Sequence, residues 1–374
     1  MFGEASVIEN WREIVLANPD MHIGVWGLII GLIFGFVVNR TNYCAMGAIS
    51  DIENFGDFNR FRAWILAAAV AMIGAWTIQS LEVLDLSSSI YLTTNFNIVA
   101  SIAGGLMFGY GMVFAGGCVT KNIIRFGGGD LRSAINLIIV GIFAYMTIGG
   151  ILGLIRTTAF SPFVIDLTEN NLETQSVGSL ISLATGGDVA QTNLIAMLVI
   201  ATVVLVWCFK DKGFRTSPVH IASGVLIGLC VIAVWFLTGL ASDDLADVIV
   251  PVSSVTFVRP TGDTLEYLMR FTALGAPSIG VVIFFGTLVG SFIAALFMGR
   301  FRLTTFAGPQ DTMRNLLGAA LMGIGGVLAL GCTVGQAITG VSTLAVGSMI
   351  VFAAIVGGCF IGLKHLNSIL MAEV

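Results

Sequence analysis

The chain has 374 residues, 56% of them hydrophobic and 10% charged, with a mean hydropathy of +0.96. That much apolar surface excludes a water-soluble fold and marks a polytopic membrane protein. A formal net charge of −5, with 17 Lys and Arg scattered over the connections, offers no basic patch for nucleic acid; six Cys and three His form neither a C-x-x-C pair nor a His cluster, so no metal and no cofactor is expected.

The first 20 residues contain Glu4, Glu9, Arg12 and Glu13, which argues against a cleaved signal peptide. Val7, Trp11 and Ile14 recur at helical spacing and predict a short helix lying on the membrane surface. Apolar runs then fall at about 23–38, 62–80, 98–117, 133–155, 192–209, 219–240, 277–299, 314–331 and 344–363. At ~20 residues per crossing these are nine spans. Connections on one side hold Arg40, Arg60, Arg62, Lys121, Arg125, Arg132, Lys210, Lys212, Arg215, Arg300, Arg302 and Arg314, with Lys364 in the tail. The other side holds only Arg12, Arg156, Arg259 and Arg270. Because Lys and Arg are retained on the cytoplasmic side, the N-terminus is expected outside and the C-terminus in the cytoplasm.

The third and eighth spans carry an echo. AGGLMFGYGMVFAGGCVTKN, residues 103–122, overlays LGAALMGIGGVLALGCTVGQ, residues 317–336, when Cys118 is laid on Cys332 at an offset of 214. Gly104, Gly109, Gly111, Ala115 and Gly117 then meet Gly318, Gly323, Gly325, Ala329 and Gly331. A fainter echo relates Gly27 and Gly31 to Gly224 and Gly228. Spans three and eight cross in opposite directions, so the expected fold is all-α and integral to the membrane: about nine transmembrane helices in an inverted repeat with broken, re-entrant half-helices. A single membrane domain, 1–374, divides into a first repeat at 23–155, a linking span at 192–209 and a second, inverted repeat at 219–363. The two long connections, 156–191 and 241–276, read as caps over the outer mouth.

The chemistry is expected where spans stop short. Polar residues follow span one up to Cys44, follow Cys118 after span three, and follow Cys332 after span eight. Irregular backbone at membrane depth is tolerated only where protein buries it or a wet cavity adjoins it, and a half-helix N-terminus there suits an anion. Cys44, Cys118 and Cys332 therefore read as path-lining thiols, whereas Cys208, Cys230 and Cys359, in uninterrupted apolar helix, read as packing. A thiol is a soft donor and acceptor, suited to sulfur or selenium more than to a hard oxyanion. Lys121 and Arg125 offer positive charge near Cys118, and the positive-inside rule accounts for them equally well. Asn42, Thr120, Asn122, Thr333 and Gln336 are candidates to replace water around a polar substrate, or to satisfy the broken-helix backbone.

The segments GLIFGFVVNRTNYCAMGAISD, GGLMFGYGMVFAGGCVTKN, SVTFVRPTGDTLEYL and GIGGVLALGCTVGQAITG resemble the YeeE/YedE family of sulfur-transport membrane proteins. The resemblance implies an hourglass-shaped thiosulfate importer of the bacterial inner membrane, in which residues matching Cys44, Cys118 and Cys332 pass the ion along by S–H···S contacts. It also implies a small cytoplasmic sulfur-carrier partner of the TusA type. Lys121 and Gln336 depart from the smaller or His-type residues expected after the cysteines, which leaves sulfite, sulfide and selenium species open as substrates.

Two other classes compete with a transporter. One is a membrane sulfurtransferase or thiol oxidoreductase with Cys118 or Cys332 as nucleophile; it lacks a base in the motifs, since His22, His220 and His365 lie outside them. The other is a sensor or membrane partner that moves nothing. No G-x-x-x-x-G-K-[ST] is present to drive transport with ATP, and few acidic residues lie within spans to relay protons.

Overall fold

Lipid offers no hydrogen bonds, so a chain this apolar satisfies its backbone within helices. The computed structural model describes residues 2–170, 172–243 and 250–372; residues 244–249, inside the second long connection, lie outside this description. Helix α1 (Phe2–Ala17) precedes α2 (Pro19–Thr41), the short α3 (Ala45–Phe55) and α4 (Asn59–Ser80). Strand β1 (Asn95–Asn97) leads into α5 (Ile98–Phe114), the short α6 (Val119–Gly127), α7 (Leu131–Ile148) and α8 (Ile151–Phe160). Strand β2 (Val164–Asp166) pairs antiparallel with β1, Phe96 opposite Ile165. Helices α9 (Val177–Thr185), α10 (Val189–Lys210), the single-turn α11 (Lys212–Arg215) and α12 (Pro218–Ala241) follow. Then come α13 (Val258–Leu274), α14 (Ile279–Phe297), α15 (Pro309–Leu328), a π-helical turn at Gly335–Gly340 and α16 (Val346–Ala372).

Among the described residues eight helical runs are long and apolar enough to cross a membrane: those built on α2, α4, α5, α7, α10, α12, α14 and α16. The ninth expected run is α15, which has the length, 20 residues, but opens with Gln310, Asp311, Arg314 and Asn315. Its polar first turns are met by protein: Arg132 lies 3.7 Å from Asp311, and Asn136 donates to Asn315 at 3.3 Å. A helix, α1, forms where the sequence predicts one, with Val7, Trp11 and Ile14 each about half exposed on it.

Small residues set the closest crossings. A Cβ at Gly104 would stand 2.7 Å from the Gly325 carbonyl, and one at Gly111 would stand 2.6 Å from that of Gly318. Rising numbers on α5 meet falling numbers on α15, so the two helices run antiparallel, backbone against backbone. The offset of 214 exchanges the two contacts, since it carries Gly104 to Gly318 and Gly111 to Gly325. By contrast, Gly27 and Gly31 of α2 meet Val282 and Gly286 of α14 in parallel, and Gly224 and Gly228 of α12 meet Leu66 and Val70 of α4 in the same way. Helix α16 packs along α5 as α15 packs along α7. Such exchange of partners is what a two-fold axis in the membrane plane demands.

The second long connection differs from its expected role as a cap. Its α13 enters the molecule, packs against α7 and α14, and buries Val258, Pro260, Thr261, Gly262 and Thr264. Its carboxylates are met at this contact, where Tyr145 of α7 donates to Asp263 at 2.6 Å and to Glu266 at 2.8 Å.

Candidate functional site

Three helix breaks share one local design. A residue in the left-handed region stands two positions before each cysteine: Asn42 before Cys44, Gly116 before Cys118 and Leu330 before Cys332, with φ of 53°, 70° and 55°. The left-handed residue ends one helix and turns the chain, and the cysteine then opens the next. Cys44 caps α3, with its Sγ accepting from the Gly47 N–H at 3.4 Å. Cys332 does the same for the turn that follows it, accepting from the Gly335 N–H at 3.3 Å. Cys118 is the N-cap of α6 and makes no such bond; the Lys121 N–H faces its sulfur without closing one.

All three thiols are buried. Cys118 is an electrostatic neighbour of both Cys44 and Cys332, with the Thr333 hydroxyl beside it. The fold therefore brings together the three cysteines that sequence separates by up to 288 positions. It also brings Cys359, assigned to packing by sequence, next to Cys44 and Cys118. Cys208 instead donates to the Arg62 carbonyl, 3.6 Å away, and Cys230 lies on the face of α12 buried in the core.

The polar residues divide by role. Asn122 donates to the carbonyls of Gly117 and Cys118 at 2.9 and 3.1 Å, and Gln336 donates to that of Ala329 at 2.5 Å, so both satisfy backbone left open by a break. Lys121 reaches Asn42 at 2.5 Å and ties the Cys118 break to the Cys44 break. Arg125 is occupied structurally: it donates to the Gly116 carbonyl and pairs with Asp130, both at 2.8 Å. Thr120 and Thr333 are buried and their hydroxyls have no partner among the described residues.

Two residues that sequence reasoning passed over complete this scaffold. Asn136 on α7 donates to the Ala115 carbonyl at 3.2 Å, to Asn122 at 3.1 Å and to Asn315. Asn315 in turn donates to the Asp311 carbonyl at 2.7 Å. A polar side chain inside an apolar span was the available signal, because such residues are costly in lipid and face the protein interior. Beyond this ladder, between α6 and α7, burial pushes the Asp130 carboxyl up. The hydrogen bond from Arg132 and the charges of Arg125 and Arg132 outweigh it, holding the carboxyl below its ordinary value.

Two cavities, of about 290 and 270 Å³, lie on the Cys332 side of the breaks, and Arg156 and Leu330 border both. Gln175 and Gln336 line the first; Thr256, Arg259 and Gly331 line the second. Arg156 donates to the carbonyls of Thr147 and Ile148, and no ion pair to it is seen among the described residues. Among the described residues no group of His, Cys, Asp and Glu is arranged to hold a metal.

Long apolar helices, three of them ending at buried thiols, define a polytopic membrane protein. The chain belongs to the sulphur transport family, whose family model matches residues 40–361. It is similar to the thiosulfate transporter TsuA of Escherichia coli, 29% identical over 83% of this chain and 85% of that protein. The TsuA of Spirochaeta thermophila is 27% identical over 87% and 93%. A shorter stretch, 26% of this chain and 23% of the relative, is 31% identical to the probable transporter YedE of Salmonella typhimurium.

Proposed function

We propose that this chain imports a small sulfur-containing anion, thiosulfate first, from the outer face to the cytoplasm along Cys332, Cys118 and Cys44. The observation that carries the reading is Cys118, a buried thiol that opens one helix break and neighbours the buried thiols of the other two. Relatives named as thiosulfate transporters over most of their length support the substrate. A sulfane sulfur exchanges weak S–H···S contacts with each thiol in turn, and no covalent bond is needed. Dehydrating a dianion is costly, so the N–H groups of the half-helices and nearby hydroxyls surround it. Asn42, Thr120, Lys121, Asn122, Thr333 and Gln336 form or brace this lining.

The two repeats, 23–155 and 219–363 around the linking span 192–209, meet at this site, and the exchange of helix contacts supports that division. In this reading the N-terminus is outside, the C-terminus is in the cytoplasm of a bacterial cell, and the membrane is the inner one. The protein acts as a transporter and not as an enzyme, and hands its cargo to a cytoplasmic sulfur carrier of the TusA type.

The test is uptake of sulfane-labelled thiosulfate into liposomes by the parent protein, Cys118→Ala and Cys332→Ala. Uptake by the parent that both variants lose, with melting transitions still cooperative, is the expected result. A parent that moves no thiosulfate sinks the substrate, and a persulfide found on Cys118 during turnover replaces the transporter with a sulfurtransferase.

A further inference from the structure

A buried hydroxyl without a partner costs free energy, and native proteins carry few of them. Three lie around Cys118. The Tyr43 hydroxyl, the Thr120 Oγ1 and the Thr333 Oγ1 are each buried without a hydrogen-bond partner among the described residues, in side chains 5%, 4% and 1% exposed. Thr333 stands beside the Cys118 sulfur, Tyr43 is its electrostatic neighbour, and Thr120 lies in the first turn of the helix that Cys118 opens. The Tyr43 ring is fixed by stacking: it lies 6.0 Å from Trp64, which in turn stacks on Phe352 at 5.8 Å. Cys118 is also the one of the three path cysteines whose sulfur leaves its half-helix N–H groups uncapped.

Resting on the transport reading above, we infer that Tyr43, Thr120 and Thr333 are the oxygen-binding half of the site whose sulfur-binding half is Cys118. A tetrahedral sulfur oxyanion with one soft end fits both halves at once. Its terminal sulfur meets the thiol, while its oxygens accept from three hydroxyls and from the free N–H groups at the start of α6. Sulfate offers no soft end to the thiol, and hydrosulfide offers no oxygen to the hydroxyls. Selectivity then follows from the need to fill both halves, because a site built to hydrogen-bond oxygens is left with unpaired groups by a ligand that lacks them.

The experiment measures thiosulfate binding, uptake and thermal melting of the purified full chain, comparing the parent with Tyr43→Phe, Thr120→Val and Thr333→Val. Each variant is expected to bind thiosulfate roughly tenfold more weakly, equivalent to about 1.4 kcal/mol, and to raise KM while the maximal rate stays near that of the parent. Without thiosulfate, each melts at the parental temperature or above it, because an unpaired hydroxyl has been removed. Thr333→Ser restores affinity. Parental affinity in all three variants overturns the inference, as does a fall in ligand-free melting temperature that alone accounts for weaker uptake. A parent that thiosulfate neither stabilises nor crosses overturns the transport reading as well, whereas parental transport with unaffected variants overturns this inference alone.

Discussion

The breaks at Cys118 and Cys332 occupy equivalent places in the two halves, yet they are built differently. In the second half Gln336 alone holds the Ala329 carbonyl at the end of α15. In the first half the shorter Asn122 turns to Gly117 and Cys118, and the equivalent carbonyl, Ala115, is held by Asn136 from a neighbouring helix. The sulfur of Cys332 accepts a backbone N–H, while that of Cys118 does not. The turn after Cys332 is π-helical and wide, whereas α6 is regular. The Cys332 break is closed upon itself; the Cys118 break leaves its thiol and first N–H groups uncapped, and borrows support from α7 and α15.

The largest test of this contrast lies in the cysteines. Cys118→Ala is expected to lower thiosulfate uptake by at least a hundredfold or so, the loss of a contact made by the moving ion, and to leave the melting temperature unchanged. Cys332→Ala loses uptake and also stability, because its capping bond, worth about 1 kcal/mol, goes with it; equal melting temperatures for the two variants would break the comparison. Next comes the borrowed support. Asn136→Leu removes the donor to the Ala115 carbonyl and to the amide oxygens of Asn122 and Asn315, each stranded group costing about 1–3 kcal/mol, whereas Gln336→Leu strands one carbonyl. Calorimetry should therefore show the larger drop for Asn136→Leu.

Asp130 gives a pH-dependent test beside the first break. Its folded carboxyl titrates below its unfolded one, so its contribution is present above the ordinary carboxylate range and is lost as pH falls through the lowered folded value. Melting measured from neutral to acid pH should lose several degrees over that window in the parent, and Asp130→Asn should start lower and lose less. The smallest effect belongs to the left-handed residues. Leu330→Gly relieves a strained φ worth about 1 kcal/mol and should move stability little, because glycine adds unfolded-state entropy. Gly116→Leu meets Arg125, whose guanidinium would lie 2.7 Å from the added Cβ, and should destabilise clearly by the same assay.

Much of this was legible in the chain itself. Composition dictated the membrane, because no soluble fold needs 56% hydrophobic residues. The glycines repeated at an offset of 214 announced a close antiparallel crossing, since only small residues let two backbones approach. The cysteines after each apolar run marked the breaks, because polar residues there have no lipid-facing solution. What sequence left undecided depends on contacts between distant segments. Tyr43 and Asn136 read as one polar residue among many until Trp64 of α4 stacks on the first and the α5–α6 break and α15 meet the second. The 258–274 stretch reads as a loop by hydropathy, and only its packing against α7 and α14 makes it a helix whose first turns are buried while residues 268–274 stay exposed. Arg125 and Lys121 have the same charge in sequence, but one closes on Asp130 and the other reaches across to Asn42. Local pattern fixes where a membrane helix can run and where it must stop; which broken end stays open is decided by the neighbours that reach its unpaired backbone.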